Sequence, residues 1–366
     1  MNLPKVIVDA ASRPYAVAAE SRKKGRAPIA VLPGYFPAEL VAAAGAHPFR
    51  VWGGRAATVN ADAALQAYIC SMAKSVLEDV LDGTLDFAAG FLVPSVCDTM
   101  QNLSDVIAAS GRKVFCFRFP RSSFPDEAGV WLRDEVARFS RWMKSATGRE
   151  PSGEALAYET DRYSAVKTAV LELYALRREC PQAFTGRGFY DAVFAAQTMD
   201  PGAFADAMSG CAANFKCGDA AGAGRRVMVS GTAPIPPEFL DVFAEHGLWL
   251  ADDDFMAGRR LFSRPILESL GPKDLAQAFL GGVPCPSNTF GHDKRPGYLA
   301  DLAKEAGAAG VVFWQTKACE NEAFDLPWID AALRGNGLKT LLVETEQKMR
   351  TFETAAARIA AFAESL

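Results

Sequence analysis

The chain has 366 residues, half of them hydrophobic and 22% charged, with a formal net charge of −4 and a pI of about 5.6. This length can hold two domains with separate cores, and the mild acidity argues against a nucleic-acid or anionic-membrane partner. The opening stretch MNLPKVIVDAASRPYAVAAESRKKGR has no apolar core of signal-peptide length, and no later run could span a bilayer, so a cytoplasmic location is expected.

The first third alternates strand and helix. Pro28–Leu32 reads as a strand ending at Pro33-Gly34, and Pro37–Ala44 as a helix stopped by Gly45. Phe49–Trp52 is a second predicted strand. A long helix is expected within Ala61–Leu81, ending at Gly83, with Cys70 near its apolar face. The apolar run Phe87–Val93 ends at Pro94-Ser95, and helical spacing of Met100, Leu103, Val106 and Ile107 follows. Cys97 therefore stands at a strand–turn–helix junction, where a helix start favours a thiolate. Lys113–Phe119 is the fourth strand. Such alternation predicts a mostly parallel sheet covered on both faces.

From Pro125 to about Gly210 the pattern is helical, over Val130–Thr147, Gly153–Arg178 and Phe189–Ser209. Ala213–Gly224 reads as a linker whose Gly222-Ala223-Gly224 precedes a strand, so it is no dinucleotide fingerprint. A second α/β unit follows, with strands at Arg226–Ser230, Leu248–Asp252, Gly310–Gln315 and Lys339–Glu344. Helices are expected at Pro237–His246, Tyr298–Ala306, around Trp328–Arg334 and from about Thr351. The Pro- and Gly-rich stretch Gly281–Gly297 reads as a surface loop. The expected architecture is α/β: two Rossmann/flavodoxin-like parallel-sheet domains (1–124 and 225–366) joined by a helical segment and linker (125–224), with the site in the interdomain cleft.

Eight cysteines occur without any CxxC pair, which removes zinc ribbons, thioredoxin motifs and compact ferredoxin patterns. Three share a context. Cys97 opens a helix after a strand, Cys319 (TKAC) follows the strand Gly310–Gln315, and Cys70 lies in YICSMAKS. Three thiolates meeting in a cleft would suit a [4Fe–4S] cluster with one iron left for a non-cysteine ligand. Cys285, in PCPS, reads as a bystander to that set, with a fourth ligand as the alternative. Absence of G-x-x-x-x-G-K-[ST] and of HExxH, with only His47, His246 and His292 present, leaves no P-loop and no histidine-based metal motif.

The segments GYFPAELVAAAGAHPFRVWGG (34–54), YICSMAKSVLEDVLDG (68–83), FLVPSVCDTMQNLSDV (91–106), VMVSGTAPIPP (227–237), LADDDFMAGRRLF (250–262) and GVVFWQTKACENEAFDLP (310–327) carry a family resemblance. In that order they resemble the cluster-bearing subunits of the 2-hydroxyacyl-CoA dehydratase / benzoyl-CoA reductase family. The resemblance implies that Cys70, Cys97 and Cys319 ligate one [4Fe–4S] cluster. It further implies a homologous cluster-bearing partner subunit, a separate ATP-hydrolysing activator protein and an acyl-CoA substrate. Aromatic-ring reduction is the preferred reading. The alternatives are 2-hydroxyacyl-CoA dehydration, a pure electron relay, and a double-cubane protein needing more cysteines. One departure bears on substrate binding. RTFETAAARIAAF (350–362) keeps Arg358 and Phe362 of the family's C-terminal stretch but lacks the Gly-Gln pair ahead of it.

Tyr35, Glu39 and His47 are the candidate proton-transfer residues near the first cleft edge. Glu39 reads equally as a first-turn dipole partner, and His47 as a capped loop residue. Asp252-Asp253-Asp254 reads as a helix N-cap with solvated carboxylates, or as cation ligands. Gly258-Arg259-Arg260 reads as a surface ion pair or a contact to a coenzyme A phosphate. Trp52 and Trp314 are expected in the core.

Overall fold

A computed structural model describes residues 2–54, 57–120, 124–180, 183–184, 186–217, 224–287 and 291–366. Part of the expected 213–224 linker and part of the 281–297 loop lie outside the described residues.

Two four-stranded, all-parallel sheets form the frame. The first comprises β1 (Ala27–Val31), β2 (Ala46–Arg50), β3 (Gly90–Pro94) and β4 (Val114–Phe117), in the order β2-β1-β3-β4. The second comprises β5 (Arg225–Gly231), β6 (Leu248–Phe255), β7 (Gly310–Thr316) and β8 (Lys339–Thr345), in the order β6-β5-β7-β8. Both are the doubly wound half-order in which the chain reverses direction across the first strand. The two-unit α/β expectation is met.

Each sheet is covered on both faces because its inner strands are largely apolar on both. In β1, Ile29 and Val31 pack on Leu132, Val136 and Phe139 of the helix Pro125–Thr147 and on Phe279. Ala30 and the following Leu32 pack the other way, on Val76, Leu77 and Leu103. The second sheet places Val227, Val229 and Trp314 against Val170, Tyr174, Phe189 and Ile359, and Met228 and Val311 against Leu299 and Ile329. The central helices therefore divide, the first covering the first sheet and the later ones covering the second. The helix Lys5–Ser12 adds Ile7 and Ala10 to the second core.

Three sequence expectations change. The helix expected over Ala61–Leu81 is two helices, Val59–Ala64 and Ser71–Leu81, parted at the extended Leu65. The cause is tertiary: Lys74 pairs with Asp62 at 2.7 Å, and Glu78 accepts from the Ala61 backbone N–H at 2.9 Å. On one straight helix, residues twelve apart would stand about 18 Å from each other. Cys70 thus leaves the apolar helix face and becomes the N-cap of Ser71–Leu81. Likewise, Phe189–Ser209 breaks into Gly186–Ala195 and Pro201–Met208, because Asp200 caps the second helix ahead of Pro201.

The third change concerns the aspartate run. Asp252, Asp253 and Asp254 are not solvated and none is an N-cap residue; all three lie inside β6 with no exposure. Asp253 Oδ1 does accept from the Arg259 N–H at 3.2 Å, at the start of the next helix. Arginines account for their burial. Asp252 meets Arg259 and Arg178, and Asp253 meets Arg177 together with the hydroxyls of Tyr174 and Tyr190. Asp254 takes Arg260 at 2.8 Å and Arg295 at 3.3 Å. Arg260, expected at the surface, is 1% exposed.

Candidate functional site

The three singled-out cysteines occupy the same local position. Cys70 is the N-cap of Ser71–Leu81, Cys97 of Asp98–Ala109 and Cys319 of Glu320–Gly335. Cys97 and Cys319 each stand three residues past the end of the equivalent strand, β3 in one sheet and β7 in the other. Both sit at the carboxyl edge of a parallel sheet, where open α/β folds place their ligands. Ala318, directly before Cys319, has φ +61°. A left-handed alanine costs about 1 kcal/mol, a strain that sets the turn delivering this thiol.

Cys70 is the common neighbour. It lies close enough to Cys97 and to Cys319 to raise the pKa of each. Burial is the leading influence on all three thiols and pushes Cys97 up to about 11 and Cys319 up to about 12. Helix-start N–H groups oppose it: Met72 and Ala73 at Cys70, Thr99 and Met100 at Cys97, Glu322 at Cys319. These groups face the sulfurs without closing a capping hydrogen bond. Three positive helix ends thus face thiols that burial keeps protonated, and favour the thiolate form that a metal would require.

Among the described residues, no three His, Cys, Asp or Glu side chains close around a single metal ion. A four-iron cube is a different target, since sulfurs on three separate corners stand farther apart than ligands of one ion. The donor set fits that group: three thiols, three helix N-termini favouring an anion, and a dry wall. Trp52 and Met72 from the first domain meet Ala233, Met256 and Ala257 from the second around Cys70.

The two halves are clasped beside the thiols. Asn321 Nδ2 donates to the Val96 carbonyl at 2.9 Å, tying the Cys319 helix to the Cys97 turn. Gln347 donates from Nε2 to the Trp52 carbonyl at 2.6 Å, and its Oε1 accepts from the Gly54 N–H at 3.0 Å. Gly53, at φ +78°, is needed there, because a Cβ would lie 2.4 Å from Gln347 Oε1. Neither Asn321 nor Gln347 carries a motif, so sequence reasoning missed both.

Tyr35 and Glu39 share a pocket with Arg50, Lys167 and Arg264. A second, smaller pocket, reaching Val96 and Cys285, shares Tyr35, Leu261 and Arg264 with it. Tyr35 therefore stands between the first pocket and the Cys97 turn. The Arg264 guanidinium lies 4.3 Å from its ring centroid. Burial raises its phenol pKa, which keeps it a neutral donor. Burial likewise raises Glu39, whose Oε1 accepts from the Leu267 N–H at 2.8 Å.

His47 does not join them. It sits within β2, 3% exposed, with Nε2 donating to the Thr198 carbonyl at 2.8 Å. Burial lowers its pKa from 6.5 to about 4. The unfolded chain binds this proton more readily, so stability is full above about pH 6.5 and falls as pH drops towards 4. The loss is up to about 3 kcal/mol. Urea unfolding across this range is expected to show it, and His47→Gln to flatten it.

The other cysteines stand in different local settings. Cys180 and Cys217 lie side by side, with Cα atoms 5.5 Å apart. Cys116 is in β4, and the buried Cys285 lies 3.8 Å from Arg260 Nη1. The fold and these thiols define a class: paired doubly wound α/β units with cysteine-tipped helices at their junction.

The family model for the 2-hydroxyglutaryl-CoA dehydratase D-component matches residues 33–366, and the chain belongs to that family. The (R)-2-hydroxyglutaryl-CoA dehydratase subunit beta of Acidaminococcus fermentans is 26% identical over 96% of each chain. The (R)-phenyllactyl-CoA dehydratase beta subunit of Clostridium sporogenes is 24% identical over 93% of this chain and 92% of that one. A benzoyl-CoA reductase subunit of Thauera aromatica is 26% identical over 87% of this chain and 84% of that one. The chain is accordingly an enzyme subunit. Among the described residues, no helix is long and apolar enough to cross a membrane.

Proposed function

We propose that this chain is the iron–sulfur subunit of a cytoplasmic, ATP-dependent, low-potential enzyme acting on an acyl-CoA. Cys70, Cys97 and Cys319 would hold a [4Fe–4S] cluster. The observation that carries this reading is the placement of all three thiols on helix starts, with Cys70 neighbouring both others. When bound, the cluster supplies single electrons to a thioester-activated substrate. The chain's own residues do the rest. Trp52, Met72, Ala233 and Met256 exclude water beside Cys70, and Asn321 and Gln347 keep the halves closed over the thiols. Tyr35 supplies a proton from its phenol, and Arg264 over its ring stabilises the charge left behind. ATP is hydrolysed by a separate activator, and the enzyme is completed by a homologous partner.

Ring reduction of the benzoyl-CoA type remains the first reading. Dehydration of a 2-hydroxyacyl-CoA is the second, favoured by relatives named as dehydratase beta subunits that cover up to 96% of this chain.

The test is iron and acid-labile sulfide analysis with EPR on anaerobically purified protein, beside Cys97→Ser. About four irons per chain are expected, lost in the variant. Protein without iron after anaerobic reconstitution would remove the cluster.

A further inference from the structure

Strand register relates the two halves residue by residue. Val31 pairs with Leu92, which precedes Cys97 by five residues (97 − 92), and Gly231 pairs with Trp314, which precedes Cys319 by five (319 − 314). The residue after each inner strand is therefore equivalent: Leu32 in the first half, Thr232 in the second. Leu32 is fully buried hydrocarbon. Thr232 is 6% exposed, and its Oγ1 lies 3.9 Å from Cys319 Sγ. Its backbone is pinned by the Ala257 N–H, which donates to the Thr232 carbonyl at 2.9 Å. Among the described residues, no other side chain hydrogen-bonds the sulfur of Cys70, Cys97 or Cys319.

We infer that Thr232 is a positioning residue that tunes the electron affinity of the three-cysteine site through Cys319. The inference rests on the cluster reading above. In a free thiol either partner can donate. A metal-bound cysteine is a thiolate, so its sulfur has no proton and the Thr232 hydroxyl must be the donor. A hydroxyl aimed at a ligating sulfur stabilises the extra negative charge of the reduced state and raises the reduction potential. Helix-start N–H groups act on all three sulfurs alike. Thr232 acts on one, so the site is asymmetric: its second-domain corner carries a polar handle where the first-domain corner has leucine.

The experiment is an EPR-monitored redox titration of the full chain, loaded anaerobically with iron and sulfide. Wild type, Thr232→Val and Thr232→Ser are compared. Valine keeps the shape and removes the oxygen, whereas serine keeps the oxygen. The expected result is a more negative midpoint for Thr232→Val, a near wild-type midpoint for Thr232→Ser, and equal iron content in all three. A purely structural role would change iron content or unfolding and leave the midpoint in place. Equal midpoints for fully loaded wild type and Thr232→Val would overturn the inference. Should the valine variant fail to load, Thr232→Ala removes the hydroxyl without adding a methyl and answers the same question. Iron-free wild type would overturn the cluster reading itself, an outcome iron analysis separates from an unchanged midpoint.

Discussion

Replacing Arg260 with methionine is expected to destabilise the protein by about 3–5 kcal/mol, because it leaves buried carboxylates without their main partner. Arg260 is 1% exposed and bonds Asp254 and Glu322, each at 2.8 Å. Arg295 also reaches both, at 3.3 and 3.0 Å, but a single guanidinium would then face two carboxylates. The loss should extend to the thiols. Glu322 lies in the first turn of the helix that Cys319 caps, and its attachment to Arg260 and Arg295 holds that turn against β6. Urea unfolding measures the first effect and iron retention the second. Arg260→Lys, with the charge but not the planar fork, should fall between. A loss under about 1 kcal/mol would show that the network adds little beyond packing.

Tyr35→Phe is expected to lower turnover by about 10²–10⁴-fold, the usual worth of a positioned proton donor. Iron content and unfolding midpoint should stay at wild-type values. The phenol lies between the two pockets, under Arg264, and among the described residues it has no hydrogen-bond partner. On the proposed reading its proton is therefore the one given to the substrate. Steady-state turnover of the assembled complex, supplied with its electron source, is the measurement. Unchanged turnover would remove Tyr35 from the chemistry and move attention to Glu39 in the same pocket.

Legibility in the sequence followed the range of the interactions. β3 and the helix after Cys97 were readable because an apolar run, Pro94-Ser95 and helical spacing are local signals. The helix starting at Glu320 is legible only in its middle, around Trp328, since Pro327 inside it and the left-handed Ala318 before it obscure its beginning. Cys70 departs from its expected place for a different reason. The sequence around it is compatible with one continuous helix, and the break depends on Glu78 capping Ala61 from the next helix. The aspartate run misled because acidic residues in a row are ordinarily solvated; here arginines from 177 to 295 reach them.

By itself the sequence determined the two parallel α/β units, the thiol at the Cys97 helix start and the family, since periodicity, turn residues and segment order are properties of the linear chain. Only the tertiary structure decided that Cys70 caps a helix, that Thr232 rather than a leucine faces Cys319, and that His47 stands apart from Tyr35 and Glu39. Those outcomes depend on strand register and on ion pairs between residues far apart in the chain. Such contacts exist only after both sheets have formed and closed on one another, so no local pattern encodes them.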